Sequence, residues 1–347
     1  MSNPSDSPSQ LLGAAALGRR VTVRLLAGGV GPSGGPAMRD VVGTLESLAA
    51  GGAPDAANQW QVRRKDGSVV RIDVDQVVLA KVIAEPGVRG GRGARAVSVA
   101  DLELIAAAGW RPLVRHQLGG WTLRTSGGFT GRANSVLPLG DPELDIDSAL
   151  DYVARWYQAR RMSPLFQLPL PLTSALDAAL ERRGWTASAP TSVMVADLAE
   201  VLLAGTPIAD GPPVQFAAAP SSAWLDIYSY REQPLPKSAR AVMVNAAHPV
   251  FASIASPGTP KAPLLAVGRG AVHHHWLGVT ALDVVEDARR RGLASHLMHA
   301  LFEHAKRFGI RHVYLQVAED NEAAIALYAK LGFSPHHRYH YRRRDSN

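Results

Sequence analysis

Short runs of alternating apolar and polar residues dominate the first quarter of the chain and predict β-strands. They lie at Val21–Ala27, Met38–Leu48 and Gln59–Val82. Within the last run, Lys65-Asp66-Gly67-Ser68 has the composition of a hairpin turn, because Asp-Gly tolerates positive φ. Several short strands in so few residues are typical of a small barrel, so we predict an SH3-like β-barrel at residues 19–84.

Two segments around this barrel have a different composition. Residues 1–18 are rich in Ser, Pro and Ala and are predicted to be a disordered tail. Residues 85–97 contain the Gly-Arg-rich sequence Glu85–Arg95 and are predicted to be a linker.

Beyond the linker, apolar residues at helical spacing alternate with strand-like runs, which predicts an α/β (α+β) fold with a mixed sheet. Helices are predicted at Ser98–Ala108, Asp147–Arg160, Ser174–Arg183, Ser221–Asn245, Leu293–Arg307 and Asn321–Lys330. Strands are predicted at Gly120–Arg124, Arg132–Leu137, Pro164–Leu168, Ser192–Ala196, Val250–Ile254, Leu264–Gly268, Trp276–Val284, His312–Val317 and Arg338–Arg344.

The two halves of this region share one order of elements. Ser148 to Trp185 and Ser295 to Phe333 both read helix, strand, helix, Gly, aromatic residue. We therefore predict an internal duplication, with lobes at residues 98–204 and 205–347. The alternative is coincidence, because a glycine after a helix is ordinary C-capping.

Composition narrows the chemistry. The chain has 347 residues, a formal net charge of +7 and no cysteine, which excludes disulfides, Cys-ligated zinc, iron–sulfur clusters and a covalent thiol mechanism. The apolar run Leu11–Leu17 has no basic residues before it, unlike a signal peptide. With no apolar run of about 20 residues either, we expect a cytoplasmic protein with no membrane partner.

The segment after the strand Trp276–Val284 combines three features of an anion site. Arg289–Arg291 form a basic turn, Gly292 follows, and a helix begins. The free N–H groups and positive end of a helix attract phosphate, and glycine lets the backbone approach it. The alternative is a solvated basic helix start.

Two sequence blocks resemble GNAT acetyltransferases. Arg289-x-x-Gly292-x-Ala294 is similar to that superfamily's pyrophosphate loop, (Arg/Gln)-x-x-Gly-x-(Gly/Ala). Downstream, Asn321-x-x-Ala324-x-x-Leu327-Tyr328 and Gly332-Phe333 resemble its second block. The region 98–200 resembles a degenerate GNAT lobe, so the architecture is similar to actinobacterial tandem-GNAT, histone-acetyltransferase-like proteins, some of which carry an N-terminal SH3-like domain.

The resemblance implies direct transfer of acetyl from acetyl-CoA to a primary amine, either a protein lysine or a small-molecule amine, with no metal. It implies that Tyr328 protonates the departing thiolate. It also implies this set of cofactor-binding residues: Leu282, Asp283, Val284, Arg289, Arg290, Arg291, Gly292, Leu293, Ala294, Ser295, Asn321 and Tyr328.

Several assignments stay open at this point. Tyr328 could be a core aromatic, and Asn321 is also a good helix N-cap. The strand Trp276–Leu282 has no carboxylate to serve as general base, which leaves as candidates Asp283, Glu232 and Glu319. The first lobe has Leu180 in the position of Tyr328 and no Arg-x-x-Gly-x-Ala loop, so we expect it to be inactive and to serve packing or substrate shaping.

A second function of a different class is also compatible with the sequence. A vestigial GNAT lobe could serve a CoA-sensing or nucleic-acid-binding regulator, with the Arg-rich linker and tail as the contact to nucleic acid. His273-His274-His275 could bind a metal, but it is interpreted as a hairpin tip.

Overall fold

The computed structural model describes residues 20–30, 36–47, 59–64, 68–82, 93–205, 207–228, 235–246, 248–258 and 262–344. The chain divides into two compact units, Met1–Gly91 and Arg92–Asn347. The predicted tail and most of the predicted linker lie outside the described residues.

The first unit is a five-stranded antiparallel sheet in the order β4-β3-β2-β1-β5. Its strands are β1 (Arg20–Val30), β2 (Pro36–Ser47), β3 (Gln59–Arg63), β4 (Val69–Asp73) and β5 (Val77–Val82). Inward residues such as Val23, Trp60 and Ile72 are almost fully buried, as strand alternation requires. The expected small all-β sheet is confirmed; its SH3-like character stays a prediction, and turn residues 65–67 lie outside the described residues.

The second unit is a mixed sheet with helices on its faces, as predicted. Its helices are α1 (Val99–Gly109), α2 (Ile146–Gln158), α3 (Ser174–Arg182), α4 (Leu198–Ala204), α5 (Ser222–Ile227), α6 (Ala239–Val244), α7 (Leu293–Lys306) and α8 (Glu322–Lys330). Its strands are β6 (Val114–Leu118), β7 (Trp121–Thr125), β8 (Val136–Pro138), β9 (Leu165–Leu170), β10 (Thr186–Asp197), β11 (Val214–Ala217), β12 (His248–Ala255), β13 (Leu264–His273), β14 (Trp276–Val284), β15 (His312–Ala318) and β16 (Ser334–Arg343).

The last strand of each lobe crosses into the sheet of the other. The strand order is β11-β12-β13-β14-β15-β10-β16-β9-β8-β7-β6. Strand β10 from the first lobe lies between β15 and β16, while β16 from the second lobe pairs with β9. The two lobes therefore share one continuous sheet.

The two lobes have matching helix ends at the close of α3 and α8. The amide of Trp185 donates to the carbonyl of Leu180 (3.1 Å), and the amide of Phe333 donates to that of Tyr328 (3.0 Å). Gly184 and Gly332, one residue earlier, have φ of +77° and +94°, which glycine adopts without strain. Leu180 therefore occupies the position that Tyr328 has in the second lobe.

The structure corrects several predicted elements. The single helix at Ser221–Asn245 is wrong: α5 and α6 are short and separate, because Pro234 and Pro236 between them cannot continue a helix. The strand expected at Arg132–Leu137 begins only at Val136, after a 3-10 turn at Gly131–Ala133. Strands β6 and β11 and helix α4 were not predicted. The three-histidine segment is a hairpin tip between β13 and β14, as predicted.

Two apolar cores cover opposite faces of the second lobe. Helices α7 and α8 pack on one face, where Leu297 of α7 and Leu327 of α8 share a core with Leu315 of β15. Helices α5 and α6 pack on the other face with Trp110, at the end of α1. Among the described residues, no helix is long and apolar enough to span a membrane.

Candidate functional site

Strands β14 and β15 pair in parallel over four residues and then separate. The ladder runs from Trp276–His312 to Val279–Leu315 and stops, although β14 continues to Val284 and β15 to Ala318. Beyond this point, the facing backbone edges of β14 and β15 are no longer paired with each other. The result is a V-shaped gap in the sheet.

A β-bulge in β14 opens this gap. Thr280 pairs with Arg269 of β13 and Asp283 pairs with Val267, so three steps along β14 match two along β13. Ala281, inside the bulge, has a φ of +52°. A bulge bends its strand, which separates the end of β14 from β15.

The residues of β14 beyond the bulge face both sides of the sheet. Leu282 and Val284 pack against the core under α7 and α8. Asp283, between them, faces the opposite side, and its carboxylate accepts from the amide of Val284 (2.9 Å). The backbone of these three predicted cofactor-binding residues therefore lies along the gap.

Helix α7 begins next to the end of β14. Its N-cap residue is Gly292, which has a φ of +76° and no side-chain cap. The first hydrogen bond of the helix runs from the amide of His296 to the carbonyl of Gly292 (3.0 Å), so the amides of Leu293, Ala294 and Ser295 have no acceptor within the helix. No acidic residue lies in the first turn. This arrangement can bind an anion.

The three arginines before α7 have different surroundings. Arg289 donates to the carbonyl of Val284 (3.1 Å), and Arg291 donates to that of Asp287 (2.6 Å), so both side chains brace the loop. Arg290 is exposed and has a φ of +62°. Of the three, it is the one best placed to meet a ligand phosphate.

Helix α8 supplies the other two predicted residues. Asn321 caps the helix, with its side-chain oxygen accepting from the amide of Ala324 (3.1 Å), which leaves its amide nitrogen available to a ligand. Tyr328 packs on the same core as Leu282 and Val284, with its ring 6.1 Å from that of Phe333. Burial raises the pKa of Tyr328 to about 12, so its hydroxyl remains protonated near neutral pH.

The structure distinguishes the three candidate bases. Asp283 borders the gap on the face away from α7. Glu319 lies 3.8 Å from Arg338 of β16, so its charge has a partner on the β10 side of β15. Glu232 lies outside the described residues.

A polar cluster on the face opposite α7 was missed by sequence reasoning. The side-chain oxygen of Gln316, on β15, accepts from Arg132 of the first lobe (2.7 Å). The guanidinium groups of Arg132 and Arg269 both lie over the ring of Trp110, at 4.8 and 4.7 Å from its centre. Arg269 is fully buried and donates to the carbonyls of Met243 and Gly109. No local sequence signal joins residues so far apart in the chain.

The matching region of the first lobe has the opposite charge. The segment from β8 to the first turn of α2 carries the carboxylates of Asp141, Glu143, Asp145 and Asp147. Asp145 accepts from the amides of Asp147 (3.1 Å) and Ser148 (3.0 Å), so the amides that would meet an anion are already bonded. A cleft of about 590 Å³ lies between this acidic loop and α3. The negative charge of the loop disfavours a pyrophosphate there.

Two relatives of known name match 70% or more of the chain. It is 28% identical over 336 residues to "Probable histone acetyltransferase Rv0428c" of Mycobacterium tuberculosis, covering 94% of both chains. It is 28% identical over 258 residues to "Uncharacterized N-acetyltransferase YobR" of Bacillus subtilis, covering 70% of this chain and 98% of that protein.

A solved structure shares the tandem fold. A tandem GNAT protein from the clavulanic acid biosynthesis pathway aligns with a TM-score of 0.51 and 15% identity over 75% of this chain and 92% of that one. A family model described as "Probable histone acetyltransferase Rv0428c C-terminal" matches residues 97–342. The chain therefore belongs to this family, has the tandem GNAT fold, and is an acetyltransferase.

Proposed function

We propose that this protein transfers acetyl from acetyl-CoA directly to a primary amine. The observation that carries the proposal is the juxtaposition of three features: the gap between β14 and β15, the uncapped N-terminus of α7 beside Arg290, and Tyr328 on the shared core. Together these features would supply a channel for an extended arm, a site for phosphates and a hydrogen-bond donor to the thioester sulfur. When bound, acetyl-CoA would supply the activated acetyl group as a thioester.

The residues present fit this cosubstrate. The free amides of Leu293, Ala294 and Ser295 would hold the pyrophosphate, with Arg290 adding positive charge. The open backbone edge of Leu282–Val284 would pair with the pantetheine arm, as an added strand pairs with a sheet edge. Asn321 would donate from its free amide nitrogen.

The high pKa of Tyr328 sharpens its role. Burial raises the pKa of the Tyr328 phenol to about 12, whereas a thiol has a pKa of about 8.5. Proton transfer from the phenol to the thiolate is therefore unfavourable by roughly 3.5 pKa units, or about 5 kcal/mol. We therefore infer that its hydroxyl donates a hydrogen bond to the sulfur as negative charge develops there. The proton that finally neutralises the thiolate would come from the attacking amine.

The amine must be neutral to attack. No carboxylate on the paired part of β14 faces the point where the gap begins, so we propose that the enzyme mainly binds and orients an amine that has lost its proton to water. The rate should then follow the neutral fraction of the amine. Asp283 borders the gap on that face and could assist through a water molecule.

The proposal is tested by measuring the CoA thiol that the purified protein releases from acetyl-CoA. The measurement is repeated across a panel of amines and lysine peptides. We expect acetylated product in equal amount to the thiol released. Replacing Tyr328 with Phe should reduce kcat sharply and leave the Kd for CoA nearly unchanged. If CoA binds but no acceptor is acetylated by the wild-type protein, the proposal is wrong and a CoA-sensing role gains support.

A further inference from the structure

Gln316 occupies the β15 position at which the gap begins. It follows Leu315, the last residue of the β14–β15 ladder. Its neighbours Leu315 and Val317 belong to the core under α7 and α8, so the side chain of Gln316 lies on the opposite face. A ligand in the gap would end beside this residue.

The orientation of the Gln316 amide is determined by its partners. Its oxygen accepts from Arg132 at 2.7 Å and from the hydroxyl of Tyr339 at 3.4 Å. A guanidinium group can only donate, so a flipped amide would set donor against donor. The contact with Arg132, which stacks on Trp110, therefore fixes which end of the amide is the donor.

The amide nitrogen of Gln316 is buried and has no acceptor among the described residues. A buried N–H group without an acceptor is costly, and native structures rarely leave one unused. Here the unused donor lies at the mouth of the gap, on the face from which α7 and α8 are absent. An acceptor would have to approach from this face, beside α5, α6 and Trp110, which pack there, because the cosubstrate would enter from the α7 side.

We propose that Gln316 binds an oxygen atom of the acceptor next to its reacting amine, so that the preferred acceptors are amines with a neighbouring carbonyl group, such as α-amines, rather than bare alkylamines such as a lysine side chain. This inference rests on the proposed function and names its substrate class. Arg132 is then a positioning residue: the first lobe contributes to acceptor selection by orienting Gln316.

The proposal has a direct kinetic test that uses two acceptors and two proteins. Glycinamide carries a carbonyl beside its amine, and ethylamine does not. The value of kcat/KM is measured for both, with the wild type and with Gln316→Met, which keeps the side-chain length and removes the donor. Comparing the four values cancels the intrinsic reactivity and pKa of each amine.

We expect Gln316→Met to lower kcat/KM for glycinamide about tenfold and to leave that for ethylamine within about twofold. The Kd for CoA should not change. The control is Gln215→Met, an exposed position on β11, which should change none of these values. Thermal melts of both variants identify a general loss of folding.

Other outcomes separate the two proposals. If Gln316→Met lowers kcat/KM equally for both acceptors, or lowers it for neither, then Gln316 does not distinguish the acceptors. This inference is then wrong, while the proposed function stands. The same conclusion follows, without any variant, if the wild-type protein prefers ethylamine after correction for the neutral fraction of each amine. If the wild type acetylates no amine at all, the proposed function itself is wrong.

Discussion

Replacing Gly292 with Ala should weaken CoA binding more than it weakens folding. A methyl group at this N-cap would meet only side-chain atoms of Ile208, at 3.7 Å, which is ordinary contact. The folding cost therefore comes from the positive φ of +76° alone, and is about 1–2 kcal/mol for a residue other than glycine. Under the proposed function, the same methyl group would stand where the backbone approaches a phosphate, so we expect at least about tenfold weaker CoA binding.

Gly309 provides a matched control at the far end of the same helix. It has a φ of +68°, and a methyl group there would meet no atom within 4 Å. Gly309→Ala should therefore cost a similar amount of folding free energy. It lies about 20 Å from the N-terminus of α7, given a rise of about 1.5 Å per residue, and should leave CoA binding unchanged.

Urea unfolding and titration calorimetry with CoA measure the two effects separately. We expect both variants to lose a similar free energy of unfolding and only Gly292→Ala to lose affinity. The prediction is refuted if Gly292→Ala binds CoA as tightly as the wild type, because the phosphates would then lie elsewhere. It is also refuted if Gly309→Ala weakens binding as much as Gly292→Ala does.

Three further predictions concern other parts of the second unit. Burial raises the pKa of Tyr328 to about 12, so its hydroxyl should stay protonated up to about pH 11. We therefore expect kcat to rise with pH as the amine loses its proton. Any fall of kcat below about pH 11 should persist in Tyr328→Phe, since it would not come from this hydroxyl. Glu103 and His337 form a buried hydrogen bond of 2.8 Å, so Glu103→Ala should cost about 1–3 kcal/mol in urea unfolding because it leaves the buried His337 without this partner, and an unchanged midpoint would contradict this. Burial, followed by the nearby charges of His274 and Arg111, lowers the pKa of His273 to about 4. Between about pH 6.5 and 4, His273 is therefore protonated in the unfolded chain but not in the folded one. The free energy of unfolding should fall as pH drops through this range, and it should fall less in His273→Gln.

The second lobe could be predicted well because its signals are local. The anion loop needs a strand, a basic turn, Gly292 and a helix in sequence, and these are consecutive residues. Helix α8 has its cap at Asn321 and its C-terminal glycine at 332, both of which have direct conformational causes. Such features depend little on the rest of the fold.

Other features depend on contacts between distant segments. Strand β6 is exposed along nearly its whole length, so it has no alternating pattern to recognise. The exchange of β10 and β16 requires knowing which strands pair across the two lobes, and several registers fit the same apolar pattern. The contact between Arg132 and Gln316 spans 184 residues and exists only once that exchange has brought the lobes together.

The most direct test of the central claim is a single-turnover reaction of the purified protein with acetyl-CoA and an amine panel, followed by mass spectrometry of the products. We predict an N-acetylated amine and one equivalent of free CoA, with the rate reduced sharply in Tyr328→Phe and CoA affinity retained. Tight CoA binding with no acetylated product from any amine, or equal rates for Tyr328→Phe and the wild type, would contradict it.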